Sequence, residues 1–472
     1  MVSVDQVDFF NRERELAQLE RAWQTDSPQL ITLWGRRRVG KSTLLSRFAA
    51  DKRGIYLYGT RIAEADILRG LSHQAAGVLG DSYLRASPFS SWPAALEYLE
   101  GKAASERLLV ILDEFPYLCD MTQGLDTLVQ HWWDRLASTR RSLMVVLAGS
   151  AFSFMEGLTG ARGPLHGRRT GQVEVHPFDY LDATRFFEHL DPVDRVRAYA
   201  CYGGIPAYLA HWAKGNTVQL QLESTLLAAG HVLFREGEEL LRTEFHQEAL
   251  YASILRAIAT GEERASDIAR AVGRGGANEI LDHLRRLQEL RFVRREVPVT
   301  EWDRVRTQRA LYRLADPYLR FWYRFVLPHQ SLIQLGHGEG VWRREVAPVL
   351  DEFVARTTWE EVCTQYLWRR LSANRPGVVF SHLGRWWDGK QEMDLVGLMH
   401  GKVVLAGECR WSNRAMTGAD LLTVQARAAR LPLGDDPLWV LASRSGFEPA
   451  LRRRAAAGDT LLLTPEDLFA ET

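Results

Sequence analysis

The chain has 472 residues, 46% of them hydrophobic, with 59 basic and 59 acidic side chains. That is enough apolar material for two to four domains of about 100–200 residues each, and the balanced charge excludes a molecule driven as a whole onto nucleic acid or a membrane surface. The longest apolar run, Leu143 to Met155, falls short of the roughly 20 residues a membrane-spanning helix needs, and the first fifteen residues lack a signal peptide's apolar core, so a cytoplasmic chain without membrane contact is expected.

Up to residue 178 short apolar runs alternate with helical patterns. Leu30–Trp34, Gly54–Tyr58, Arg107–Phe115, Ser142–Ser150 and Gly171–Phe178 read as strands buried on both faces, which predicts an α/β domain with a parallel sheet over residues 1–178. The stretch GRRRVGKST, Gly35 to Thr43, follows the first strand and opens a helix, the context in which this spacing forms a P-loop. Gly35 and Gly40 let backbone N–H groups wrap the phosphates of ATP, Lys41 contacts the β- and γ-phosphates, Ser42 binds Mg2+, and Thr43 belongs to the same nucleotide-binding set. Asp113 at the end of the third strand is placed to hold Mg2+ through water, and Glu114 to orient or activate the attacking water. Ser150 reads either as a polar sensor of the γ-phosphate or as a capping hydroxyl. In the loop holding Arg162, Arg168 and Arg169, Arg168 is the candidate arginine finger.

Residues 179–245 lose the β signal and read as a helical lid containing GGIP, Gly203 to Pro206. Over 246–330, helices at Ala249–Gly261, Ala265–Gly273 and Ala277–Leu290 precede strands at Arg291–Val299 and Arg309–Asp316, the order of a winged helix. Its third helix buries Ile280, Leu284 and Leu287 and turns Asn278, Asp282 and Arg285 outward, while Arg291, Arg294, Arg295, Arg304, Arg306 and Arg309 decorate the wing. DNA suits those arginines, whereas Glu279, Asp282 and Glu289 repel phosphate and suit a protein or intramolecular contact.

Residues 331–472 read as an α+β domain. Within it EMDLVGLMHGKVVLAGECRW, Glu392 to Trp411, folds as a hairpin through His400, Gly401 and Lys402. Alternation puts Glu408 and Arg410 on one face with Val404 and Ala406, and lets Asp394 approach Glu408 so that the two share a divalent cation. A continuous helix Phe353–Leu371, with Trp359, Val362, Cys363 and Tyr366 as its buried stripe, offers Glu360 as a third carboxylate.

Taken together, FFNRERELAQLE, GRRRVGKST, LDEFPYL, AGSAFSFM, GPLHGR, YGGIPAYL, LGRWWDGKQEMDLV and GECRW resemble, in order and spacing, the archaeal-type ATPases of the STAND group of P-loop NTPases that carry the domain of unknown function numbered 234. The resemblance implies a P-loop ATPase core, a helical lid, a winged helix and a C-terminal α+β domain similar to restriction endonucleases of the PD-(D/E)xK type. It also implies that NRERE lies near the adenine and that Pro206 contacts the nucleotide from the lid. The nuclease pattern calls for lysine at Arg410, and a guanidinium is larger, planar and never a base. Two functions follow: an ATP-driven switch whose nuclease-like domain acts on nucleic acid, or an effector in which ATP only controls DNA binding or assembly, with a second copy or another protein as partner.

Overall fold

The computed structural model describes residues 10–139, 141–150, 152–161, 163–245, 248–304, 307–372, 379–456 and 458–470, in two compact units, 1–177 and 178–472. Arg162 and Arg306 lie outside the described residues.

The first unit is built on five parallel strands, β1 (Gln29–Trp34), β2 (Gly54–Tyr58), β3 (Leu108–Asp113), β4 (Leu143–Gly149) and β5 (Gly171–Glu174), in the order β2-β3-β4-β1-β5. Every residue of β1, β3 and β4 is buried, as unbroken Leu, Ile and Val runs require when helices cover both faces of a sheet. The edge strand β2 alternates instead. β4 lies between β1 and β3, so the residue after each of these strands emerges at one edge. Two helices matter for the site: α1 (Lys41–Ala49), directly after the glycine loop, and α2 (Leu125–Leu136).

The second unit starts with short helices, and among the described residues its first strand begins at Val293. Helices α3 (Pro192–Tyr202), α4 (Glu248–Ala259), α5 (Ala265–Ala271) and α6 (Leu281–Glu289) lead into an antiparallel ribbon of β6 (Val293–Glu296) and β7 (Leu311–Leu314). The sequence reading of one helix over Ala277–Leu290 needs correction, because a 3-10 turn at Ala277–Glu279 is broken from α6 at Ile280 (φ −117, ψ −4). The stripe survives: Ile280, Leu284 and Leu287 are buried, while Asn278, Asp282 and Arg285 face solvent.

Next come α7 (Leu350–Thr357) and α8 (Trp359–Ser372), where a single helix was expected. The break lies at Thr358 (φ −134). Thr357 and Thr358 are both β-branched, and the Thr357 hydroxyl turns back on the Phe353 carbonyl at 2.7 Å and meets the Thr358 hydroxyl at 3.0 Å, a local competition that ends helices. As a result Glu360 and Glu361 fall in the first turn of α8, where the helix dipole favours carboxylates.

The last domain is a mixed sheet of β8 (His382–Trp387), β9 (Glu392–Met399), β10 (Lys402–Arg410), β11 (Leu433–Ser443) and β12 (Thr460–Leu463), with α9 (Gly418–Ala428) packed on it through Leu421, Val424 and Ala428. β9 and β10 form the expected hairpin. Met399 pairs with Lys402 across a two-residue turn in which His400 (φ 50) and Gly401 (φ 79) are both left-handed, the geometry that matches strand twist. Two bulges modify it. One at Val403–Leu405 puts Val403, not Val404, into the buried cluster with Ala406, correcting the simple alternation. The other leaves Asp394 and Leu395 opposite Arg385 alone, since Gly384 pairs with Val396 and Trp386 with Met393.

Candidate functional site

In the first unit, Gly35 leaves β1 where a Cβ would come within 2.3 Å of the Val175 carbonyl oxygen, and Gly40 caps α1 at φ 89. Both positions therefore need glycine for backbone reasons. Lys41, buried, donates to the carbonyls of Gly35 (3.0 Å) and Arg36 (3.2 Å), so its ammonium sits inside the loop's curve. Arg12 of the NRERE segment reaches the same loop, donating to the Val39 carbonyl at 2.9 Å.

Asp113 is the centre of this edge. Its Oδ2 accepts from Ser42 Oγ (2.6 Å) and from the Tyr56 hydroxyl (2.6 Å), and its Oδ1 from the Glu114 N–H (2.9 Å). Tyr56 was missed in the sequence, since alternation along β2 sets it on the face opposite the buried Ile55 and Leu57. Burial first and the Asp113 charge second raise its pKa, keeping the phenol a donor. Ser42 and Asp113 are hard oxygen donors already in contact, which fits a Mg2+ ion between them and the phosphates.

Glu114 is buried in the left-handed region (φ 49), a conformation costing a non-glycine residue on the order of 1 kcal/mol and concentrated at functional positions. Its Oε2 accepts from Ser150 Oγ (3.1 Å) and Ser150 N (3.4 Å). Close packing makes this possible: a Cβ on Gly149 would come within 2.8 Å of Pro116 Cδ, and one on Gly59 within 2.5 Å of the Glu114 carbonyl oxygen.

Arg168 is not brought to this edge. It pairs with Asp134 of α2 through Nε (2.6 Å) and Nη2 (3.0 Å), and Thr170 two residues on donates to the Leu30 carbonyl near the start of β1. β5 runs parallel to β1, so Arg168 enters at the opposite end of the sheet, roughly 15 Å of strand from the glycine loop. The in-chain finger expected of Arg168 is therefore corrected.

Pro206, in the second unit, opens the short helix Pro206–Leu209. The glycines before it have a structural reason. Gly203 sits at φ 65, and a Cβ on Gly204 would strike the Phe178 carbonyl oxygen at 1.7 Å where Phe178 N donates to the Gly204 carbonyl.

In the C-terminal sheet the β9–β10 register, Leu395 with Gly407, continues to set Asp394 opposite Glu408, and Asp394 Oδ2 accepts the Cys409 N–H at 2.8 Å. Glu360 joins from α8, close enough for the Asp394 charge to act on its carboxyl. Burial, followed by the Glu408 charge, raises the Asp394 carboxyl to about 7. Burial and then Asp394 raise Glu360, and burial raises Glu408 against the opposing arginines.

The cations around this group differ from expectation. Arg410 turns to Asp420 Oδ1 (2.7 Å), the third residue of α9 and part of the box that caps it with Thr417. Glu408 Oε2 instead accepts from Arg427 of α9 at 2.9 Å, and Arg427 also donates to the Glu392 carbonyl. Arg385 lies 2.9 Å from Glu360 Oε2, 3.3 Å from Glu392 and 3.6 Å from Glu296. Arg427 was missed in the sequence, where its place beside the Val424–Ala428 stripe was the available signal.

The fit of this second group to a divalent ion is poorer than at Asp113. Glu360 and Glu408 are each committed to an arginine, and among the described residues no three His, Cys, Asp or Glu side chains are gathered to hold a metal. Asp394 and Glu408 are brought together as expected, with Glu360 beside them, while Arg410 is turned to Asp420. The wing changes too. Arg294 is held by Glu361 at 2.7 Å inside an ion-pair network, and Arg304 and Arg309 face Glu301, so these three do not form an open basic surface. Among the described residues no helix is long and apolar enough to cross a membrane.

Residues 9–212 match the family described as an ATPase domain predominantly from Archaea, and residues 322–424 match one described as archaeal and bacterial proteins of unknown function. An uncharacterized protein of Methanocaldococcus jannaschii is 27% identical over 414 residues, covering 86% of this chain and 88% of its own. An uncharacterized ATP-binding protein of the same organism is 49% identical over 47 residues, 10% of this chain and 80% of its own. Among solved structures, a Walker-type ATPase of Pyrococcus abyssi aligns with a TM-score of 0.51 at 24% identity, covering 67% of this chain and 96% of its own. The chain thus carries an archaeal-type ATPase domain on a P-loop sheet, joined to a C-terminal mixed-sheet domain.

Proposed function

We propose that the protein is a Mg2+-dependent ATP hydrolase of the switch type, whose helical lid and winged helix couple the nucleotide to a C-terminal nuclease-like domain that binds nucleic acid. The observation that carries the ATPase reading is the chain Ser42–Asp113–Glu114–Ser150 beside Lys41. In this reading the loop from Gly35 to Gly40 turns its N–H groups to the phosphates and Lys41 neutralises the β- and γ-phosphates. Ser42 and Asp113 hold Mg2+, which when bound withdraws charge from the phosphate oxygens. Glu114 orients the attacking water and accepts its proton, and Ser150 keeps Glu114 aimed. The test is ATP hydrolysis by the purified protein: Lys41→Ala should abolish it, and a wild-type rate in that variant would sink the assignment.

For the C-terminal domain, the pairing of Arg427 with Glu408, of Arg385 with Glu360 and of Arg410 with Asp420 favours binding without cutting. Incubation with DNA and RNA and Mg2+ or Mn2+, with and without ATP, checks this. Cleavage that disappears in Glu408→Ala would replace the binding role with a nuclease.

A further inference from the structure

The second unit holds a cationic cleft that the ATP site does not use. A cavity of about 1120 Å³ lies between the three-helix and ribbon module, which contributes Arg264, Asp267 and Arg313, and the C-terminal sheet with α9, which contributes Trp387, Lys390 and Arg427. A second cavity of about 290 Å³ shares Gly261, Glu263 and Arg313 with it and continues past Arg324 and Arg356. The larger cavity is lined by five cations, Arg264, Arg313, Arg385, Lys390 and Arg427, against the carboxylates of Glu263, Asp267 and Glu392. Arg313 is held by Glu263 at 2.8 Å, Arg385 by Glu360 at 2.9 Å and Arg427 by Glu408 at 2.9 Å, so Arg264 and Lys390 are the cations an incoming anion meets first. Arg264 and Lys390 are exposed at its walls, and Trp387 is half-buried there with the Arg385 guanidinium 5.8 Å from its ring centre.

We propose that this cleft holds a single strand of nucleic acid, with Arg264, Lys390 and Arg427 on its phosphates and Trp387 as the platform for a base. The proposal rests on the reading that the C-terminal domain binds nucleic acid, and adds to it the form of the ligand and the path it takes. Size selects the single strand, since the cavity only slightly exceeds the roughly 300–1,000 Å³ of a small-molecule site and admits a few nucleotides but no duplex. Chemistry selects it too. A basic groove with an aromatic wall is what unstacked bases require, whereas bases in a duplex are already stacked. The strand would lie against Arg427 and Arg385, the two cations that separate the cleft from Glu408 and Glu360, so its phosphates compete with those carboxylates for the guanidinium groups.

The experiment is fluorescence anisotropy of the full chain with a labelled oligo(dT) of about twelve nucleotides and with a duplex of equal length, over a range of salt. Single-strand binding should be the tighter. Arg264→Glu combined with Lys390→Glu should weaken it at least about tenfold and reduce the slope of log K against log salt by about 1.4, for two lost contacts. Trp387→Ala should weaken it about tenfold and Trp387→Phe should restore it. An unchanged melting transition and near-ultraviolet circular dichroism spectrum show that each variant is folded. Binding that ignores the double variant, a preference for duplex, or equal competition by polyglutamate overturns this inference alone. No binding of either nucleic acid overturns the underlying reading of the domain and the inference with it.

Discussion

Ser150, the residue after β4, donates its hydroxyl to Glu114, the residue after β3, at 3.1 Å, so two adjacent strand ends share one carboxylate. If Glu114 handles the attacking water, this bond fixes its direction without touching ATP. Ser150→Ala should lower kcat for ATP hydrolysis by about tenfold to a hundredfold and leave the KM for ATP near wild type. Steady-state kinetics decide it, and a change confined to KM would contradict the assigned role.

Asp394 gives a pH dependence with a definite sign. Its folded pKa is raised from 3.8 to about 7, so the native state keeps a proton that the unfolded chain releases. The stabilisation is full below about pH 3.8 and is lost as pH rises through 7. Asp394→Asn cannot ionise and keeps an acceptor for the Cys409 N–H. Melting curves at pH 5 and pH 8 should show the variant gaining about 1–2 kcal/mol relative to wild type at the higher pH. No difference between the two pH values would count against the buried charge.

Glu361 has the opposite sign. Burial would raise its pKa, but Arg320 and Arg294, each at 2.7 Å, lower it below 4.5. Its contribution is present above about pH 4.5 and lost as pH falls through the lowered folded value. Glu361→Ala leaves two guanidinium groups without their shared partner in the interior and should cost about 3–5 kcal/mol in denaturant unfolding at pH 7. A loss below about 1 kcal/mol would mean that the arginines find other acceptors.

Arg410 and Arg427 are separable. Arg410→Ala removes a tether at the N-terminus of α9 and should cost about 0.5–1 kcal/mol of stability with little effect on oligonucleotide binding. Arg427→Ala should weaken that binding several-fold. Thermal melts and anisotropy on the same two variants test the pair, and the reverse pattern would return the role to Arg410.

Much of the fold is legible in the chain. The runs LITLW, RLLVILD and LMVVLAG read as interior parallel strands because an unbroken apolar segment of that length has to be covered on both faces. The His400-Gly401 turn is legible because both positions demand positive φ. The bulges at Val403–Leu405 and Asp394–Leu395 are not, since each depends on how a neighbouring strand slides into register. The break at Thr358 had a local signal in the two adjacent threonines, which the apolar stripe running through both helices obscured.

The nucleotide loop is determined by the sequence alone because its parts are contiguous: nine residues carry the glycines, the lysine and the serine, and the strand before and helix after fix their directions. Even there Tyr56 enters only through the pairing of β2 with β3. At the C-terminal carboxylates the balance reverses. Arg410 lies two residues from Glu408 and Arg427 nineteen, yet Arg427 makes the contact, because the packing of α9 on the sheet brings one guanidinium across and lets the helix cap take the other. Ion pairs form between side chains whose backbones are carried together, and in a chain that is 25% charged many partners are chemically equivalent, so tertiary packing alone selects among them.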